Sequence, residues 1–221
     1  MTVLHSTSPV RAIRTSKSNL TGRVSVGDDS ASFESSLERD WLLILDFLPE
    51  VLSLREQPFT IKYEWNGKVR RYTPDVVAEY SSAGGKINVV VYEVKRREYL
   101  RKKWKILKPR FKAAVKFCKA RGWKFKIVTE KEIRSVMLKN ACFLRRYRTT
   151  VLQPLVREHL LTTMSVLGPT TPQALLEAAY WTDESKMGAL AELWKLVCES
   201  VIRVDLMKPL TMSTRIWIEP Q

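Results

Sequence analysis

Histidine is nearly absent from this 221-residue chain; only His5 and His159 occur. A histidine-dependent nuclease, a histidine metal cluster or a Ser-His-Asp triad would have to draw on one of these two. His5 falls in a Ser/Thr-rich N-terminal stretch, and His159 falls on an expected helix with no evident partner. Cysteine is also scarce. Cys118, Cys142 and Cys198 are odd in number and widely spaced, which excludes a disulfide framework and zinc-type spacing and fits reduced thiols of a cytosolic protein. No apolar run approaches the roughly 18 residues a membrane-spanning helix needs. The N-terminus carries no continuous apolar stretch of the secretory kind, so the expected location is the cytoplasm. No G-x-x-x-x-G-K-[ST] occurs, which excludes ATP binding through a P-loop.

Acidic residues are missing from one long segment. Residues 95–126 hold fifteen Lys or Arg and one acid, Glu98, with Tyr99, Trp104, Phe111 and Trp123 interleaved. A solvated helix face normally mixes signs. Charge of one sign gains free energy by releasing counterions from nucleic acid, so this segment is read as a nucleic-acid contact made mainly to phosphates. The candidates are Arg96, Arg97, Arg101, Lys102, Lys103, Lys105, Lys108 and Arg110. The whole chain carries a net charge of +15. Residues 1–150 hold 32 basic against 15 acidic residues and residues 151–221 hold 6 against 8. The polyanion partner therefore belongs to the first part, and the second part suits a protein partner.

Two short motifs carry the chemistry. Thr73-Pro74-Asp75 opens an apolar run to Tyr80, and Glu93-Val94-Lys95 closes the run Ile87–Val94. Ser81-Ser82-Ala83-Gly84-Gly85-Lys86 between them reads as a hairpin turn. If Tyr80 pairs with Asn88, Asp75 lies opposite Glu93, and Lys95 shares a face with Glu93 because alternate strand residues point the same way. Two carboxylates can hold a hard divalent cation. An adjacent amine can orient water and offset charge building on a phosphate. These are the parts needed to cut a phosphodiester bond. Either motif alone is an ordinary turn or strand end; together, ahead of the basic segment, they point to a nuclease.

The expected elements frame these motifs. Leu37, Trp41, Ile44, Leu45 and Leu48 recur at helical spacing up to Pro49. Val51–Glu56 and Phe59–Trp65 read as strands, with Asn66-Gly67 as a two-residue hairpin turn into Lys68–Tyr72. Within 96–122, Pro109 suits a helix N1 position, Phe111, Ala114, Val115 and Cys118 form an inward stripe, and Gly122 ends the helix. Trp123–Thr129 reads as a strand. Thr129 and Glu132 form a capping box opening a helix through Val136 and Leu138. The order implies one mixed α/β domain over 31–148, preceded by a flexible arm at 1–30. Residues 149–221 read as helix, helix, helix and β-hairpin, an α+β domain of winged-helix type.

The combination Phe33-Glu34-Ser35-Ser36-Leu37-Glu38-Arg39-Asp40, Arg55-Glu56-Gln57-Pro58, Arg70-Arg71-Tyr72-Thr73-Pro74-Asp75 and Tyr92-Glu93-Val94-Lys95 resembles TnsA-type transposon endonucleases over about residues 30–135. The resemblance implies a restriction-endonuclease-like mixed sheet flanked by helices, of the PD-(D/E)-x-K class. It implies catalytic residues Glu38, Asp75, Glu93 and Lys95, and metal ligands Glu38, Asp75, Glu93 and Val94. Glu34, one helical turn away, competes with Glu38, and Gln57 is given a supporting role. The implied cofactor is Mg²⁺, with Mn²⁺ as a substitute. The implied activity, in the bacterial cytoplasm, is nicking the 5′ (non-transferred) strand at double-stranded transposon ends. The implied partners are a TnsB-like DDE transposase and a TnsC-like AAA+ regulator that contacts the C-terminal part. Two alternatives remain open from sequence. One is a stand-alone restriction or repair nuclease, which should cut without partners. The other is a non-catalytic DNA-binding regulator, which leaves Glu38, Asp75, Glu93 and Lys95 unexplained.

Overall fold

The computed structural model describes residues 22–26, 29–33, 35–82 and 84–219. His5, Glu34 and the first two-thirds of the expected arm lie outside the described residues. Two antiparallel strands, β1 (Gly22–Val26) and β2 (Asp29–Phe33), occupy the end of the stretch read as an arm. Helix α1 (Ser36–Asp46) follows. Its N-cap Ser35 accepts a hydrogen bond from the Glu38 backbone N–H at 3.2 Å, satisfying a donor that has no partner within the helix. Its apolar face buries Leu37, Leu42, Leu43, Ile44 and Leu45.

The central sheet has four strands: β3 (Val51–Glu56), β6 (Val76–Ser81), β7 (Ile87–Val94) and β8 (Lys124–Val128), hydrogen-bonded in that order. β6 runs antiparallel to β3 and β7, and β8 runs parallel to β7. A parallel neighbour requires a crossover, and helix α2 (Arg97–Lys119) supplies it. A mixed sheet with helices against it is the architecture expected of a restriction-endonuclease-like core. On one face Val77 and Val91 pack with Cys118 of α2. On the other, Tyr92 meets Trp41 of α1 edge-on, ring centroids 5.1 Å apart.

A separate two-stranded ribbon, β4 (Ile61–Trp65) and β5 (Lys68–Tyr72), turns at Asn66-Gly67. Both turn residues have positive φ, 51° and 69°, as a two-residue hairpin turn of the primed type demands. The strand expected over the apolar run to Tyr80 begins only at Val76, in a different sheet from β5, which ends at Tyr72. Pro74 lacks the N–H that would continue the ladder, and the chain crosses from ribbon to sheet over Thr73-Pro74-Asp75.

α2 differs from expectation in another way. Pro109 lies inside it rather than at its start. Proline within a helix costs ~3 kcal/mol, but Leu107, Phe111, Ala114 and Cys118 on both sides of it form one buried stripe whose burial offsets that cost. Val115, expected in the stripe, is half exposed. The Thr129–Glu132 capping box forms as read. The helix it opens, α3 (Glu130–Ile133), is a single turn, however, and α4 (Val136–Arg145) starts afresh.

The chain divides into two compact units between Arg134 and Ser135, earlier than the expected boundary near 148. The second unit contains α4, α5 (Pro154–Leu167), α6 (Pro172–Ala179) and α7 (Asp183–Cys198). Its core includes Leu160, Met164, Leu175, Leu193 and Leu196. Buried Asn140 donates to the carbonyls of Leu206 and Lys208 at 2.8 and 2.7 Å and accepts from the Leu210 N–H, pinning the segment between the last strands. Those strands, β9 (Arg203–Val204) and β10 (Ile216–Trp217), pair antiparallel over two residues each, far shorter than the hairpin read from sequence. His159 is held by the Ala179 carbonyl at 2.7 Å, a structural role. The three cysteines are free.

Candidate active site

The site forms where β6 begins and β7 ends. Tyr80 pairs with Asn88 and the ladder continues to Val76 opposite Tyr92, so the register assumed from sequence holds. Asp75 continues it, donating its N–H to the Tyr92 carbonyl at 3.1 Å and accepting the Gln57 N–H at 2.8 Å. Gln57 is buried and has φ 41°, a conformation that costs a non-glycine residue about 1 kcal/mol or more. Its supporting role is therefore concrete: its backbone holds Asp75 in place.

The functional side chains converge on one ammonium. Lys95 Nζ lies 3.0 Å from Asp75 Oδ2, 2.9 Å from the Val94 carbonyl and 3.3 Å from Glu93 Oε1. Asp75 Oδ2 also accepts the Val94 N–H at 2.7 Å. Glu93 is almost wholly buried, and two groups besides Lys95 hold it. Tyr72 donates its hydroxyl to Oε2 at 2.6 Å, and Arg110 donates to Oε1 at 3.3 Å. The Arg110 guanidinium also lies over the rings of Tyr72 and Phe111, 5.4 and 5.2 Å from their centroids.

The electrostatics follow from this crowding. Burial, aided by the neighbouring Asp75 charge, raises the Glu93 carboxyl above the usual carboxylate range, against the pull of Lys95, the Tyr72 hydrogen bond and Arg110. Burial alone would lower the Lys95 ammonium, but Asp75, Glu93 and Glu38 outweigh it and hold the group above an ordinary lysine. The Tyr72 hydroxyl is pushed well up by burial and then by Glu93 and Asp75. Glu38, half-buried in the first turn of α1, thus acts on the same ammonium through its charge.

The structure therefore brings Asp75, Glu93, Val94 and Lys95 into one cluster. Among the described residues, no three acidic, histidine or cysteine side chains already stand together in a group that could hold a metal ion. What stands ready is two carboxylates and a backbone carbonyl around a positive charge. Of the basic residues, Arg96, Arg97, Arg101, Lys102, Lys103, Lys105 and Lys108 are exposed on α2 or at its start. Lys102 pairs with Glu98 at 2.6 Å. Arg110 differs: it turns inward to Glu93 rather than outward to a phosphate. Tyr72 and Arg110 are the site residues that sequence reasoning missed or misassigned. The signal for Tyr72 was its place directly before Thr73-Pro74-Asp75; the signal for Arg110 was its place beside Phe111 in the buried stripe.

Residues 48–130 match the family of the TnsA-like endonuclease N-terminal domain. This segment is a TnsA-like endonuclease domain. It contains Asp75, Glu93, Val94 and Lys95, and it spans the sheet, the ribbon and α2. Glu38 and the whole second unit lie outside the match. No curated protein matches the chain. Among the described residues, no helix is long and apolar enough to cross a membrane.

Proposed function

We propose that this TnsA-like protein is a Mg²⁺-dependent DNA endonuclease that nicks the 5′, non-transferred strand at transposon ends, alongside a TnsB-like DDE transposase and a TnsC-like AAA+ regulator. One observation carries the reading: Asp75, Glu93 and the Val94 carbonyl already surround a cation, the Lys95 ammonium, at 2.9 to 3.3 Å. A site that holds one cation by two carboxylates and a carbonyl has the donor chemistry for a hard metal ion. Asp75, Glu93 and Val94, with Glu38 at hand, would hold it. Bound there, the ion would polarise the scissile phosphate and lower the pKa of a water.

The chain's own groups supply the rest. The Val94 N–H and the Gln57 backbone fix Asp75. Tyr72 and Arg110 orient the buried Glu93 carboxylate, so its oxygens need no reorganisation when the substrate arrives. Lys95, once drawn off the carboxylates, is placed to donate to a phosphate oxygen or to a water beside it. The exposed cations of α2 would neutralise phosphates along the duplex.

The test is a strand-resolved cleavage assay on end duplexes with Mg²⁺, with and without the DDE transposase. The wild-type protein should nick the 5′ strand in the presence of the transposase. Asp75→Ala should leave both strands intact while retaining DNA affinity. Wild-type cleavage by Asp75→Ala would overturn the assignment.

A further inference from the structure

The β4–β5 ribbon takes no part in the central sheet. Its base is anchored: Ile61 and Tyr72 are buried with Leu107, Phe111 and Ala114, and the Thr60 and Thr73 hydroxyls meet across it at 2.9 Å. Beyond the base Tyr63 packs half-buried against the same cluster and Trp65 is half-buried, and the rest of the ribbon is exposed. The pairing places Lys62 opposite Arg71 and Glu64 opposite Val69, so these four share one face, and all four are exposed. Lys68 and Arg70 lie on the other face and are exposed as well. Arg70 lies over the Trp65 ring, 5.1 Å from its centroid, which stiffens the ribbon beyond its base. Four cations face one acid, Glu64, within twelve residues.

The ribbon is also tied to the catalytic carboxylate. Its last residue, Tyr72, hydrogen-bonds Glu93, and three residues later the chain reaches Asp75. A strand of five residues rises about 17 Å, so the Asn66-Gly67 tip lies within about 17 Å of Tyr72, a reach of at most roughly five base pairs at ~3.4 Å per pair.

Resting on the nuclease reading, we propose that the β4–β5 ribbon enters the major groove of duplex DNA within about five base pairs of the nick and contacts base edges there. The major groove is about 12 Å wide and admits a two-stranded β-ribbon. Arginine is suited to bidentate contact with guanine and an apolar side chain to the thymine methyl, which assigns Arg71 and Val69, on one face, these tasks, while Arg70 on the other face braces the ribbon against Trp65. The cations of α2 would position the backbone; the ribbon would discriminate among sequences.

The experiment measures binding of the full chain to two 24-base-pair duplexes of identical sequence by fluorescence anisotropy. One duplex carries ordinary cytosine. The other carries glucosylated 5-hydroxymethylcytosine, whose sugar fills the major groove and leaves the phosphates unchanged. The wild-type protein should bind the blocked duplex roughly tenfold more weakly, the value of one good base-edge contact. Arg70→Ala/Arg71→Ala should bind both duplexes alike. Lys62→Ala/Arg71→Ala, which keeps the Arg70–Trp65 stack, should lose most of the difference. Arg101→Ala/Lys105→Ala/Lys108→Ala on α2 should weaken both duplexes and keep the ratio. Equal wild-type affinity for the two duplexes would overturn the ribbon proposal and leave the nuclease reading standing. So would a ribbon variant that keeps the wild-type ratio. Absence of wild-type binding to either duplex would overturn the nuclease reading, and the ribbon proposal with it.

Discussion

Replacing Lys95 by methionine should tighten metal binding while abolishing cleavage. Methionine keeps the aliphatic reach of lysine and removes its charge. In the metal-free protein the ammonium touches the groups an incoming ion needs: Asp75 Oδ2 at 3.0 Å, the Val94 carbonyl at 2.9 Å and Glu93 Oε1 at 3.3 Å. An ion must displace it before it can bind. A hydrogen bond to a charged group contributes about 1.5–3 kcal/mol net, so displacing the Asp75 contact alone weakens apparent metal affinity by roughly one to two orders of magnitude. Lys95→Met should therefore bind Mn²⁺ on the order of 10- to 100-fold more tightly than wild type. Titration calorimetry, or loss of the free Mn²⁺ resonance signal, reads this at pH 7.5 without DNA. The variant should also unfold at a lower temperature without metal, because Asp75 loses its ion pair and Glu93 keeps only Arg110 and Tyr72, and it should recover most of that loss when Mn²⁺ is added. The displacement argument would be refuted by unchanged or weaker Mn²⁺ affinity in Lys95→Met. Retained cleavage would remove Lys95 from the chemistry.

The remaining tests address separate parts. Glu93 is raised above the usual carboxylate range, so it takes up a proton on acidification before an ordinary glutamate does. Mn²⁺ affinity should accordingly fall with pH through a window above the ordinary value of about 4.3. Tyr72→Phe, which removes a hydrogen bond that favours the charged form, should move that window upward; an unmoved midpoint in an affinity–pH profile would deny Tyr72 its orienting role. Neutralising Arg101, Lys105 and Lys108 should flatten the dependence of log affinity on log salt by roughly 0.9 for each lost phosphate contact with duplex DNA. An unchanged slope would make the α2 face merely solvated. In the second unit, Leu175 is fully buried and Trp181 fully exposed. Leu175→Ala should cost about 2–5 kcal/mol of stability. Trp181→Ala should leave the melting temperature within about a degree or two, yet lower recovery of a TnsC-like regulator in a pull-down, as expected of an aromatic anchor. Equal recovery of the regulator would exclude Trp181 as that anchor.

Local chemistry made much of the site legible. The pairing of Tyr80 with Asn88 across the turn, assumed from sequence, is the one the structure has, and it carries Asp75 to Glu93. Ser35, Thr129, Thr171 and Thr182 each accept a hydrogen bond from their own helix's first turn, and of these the Thr129 box is legible directly in residue order. Readings failed where tertiary packing outweighed a local preference. Pro109 read alone is a helix start; the buried stripe from Leu107 to Cys118 keeps α2 intact across it. The Thr129 box read alone opens a long helix, yet the helix ends after one turn at Arg134, where the unit boundary falls. The ribbon is legible from its Asn66-Gly67 turn, but its separation from the central sheet at Thr73-Pro74-Asp75 is not.

Arg110 shows the limit most clearly. In a run of fifteen cations it is chemically indistinguishable from its neighbours, and charge counting assigns it to DNA with the rest. Its neighbour Phe111 belongs to the inward stripe, and a helix advances 100° per residue, so Arg110 stands at the margin of the buried face rather than opposite it. From there it can reach Glu93 while its guanidinium covers Tyr72 and Phe111. A buried carboxylate needs such partners, because the penalty for leaving it ionised and unpaired is large. Glu93 therefore demands a cation from whichever element packs over it, and that element is α2. The same helix that would hold the substrate's phosphates thus also contributes, behind burial, Asp75, Lys95 and Tyr72, to the charge state of the carboxylate proposed to cut them. Substitutions along its exposed face should change affinity alone, whereas Arg110→Ala should change the pH dependence of metal binding as well.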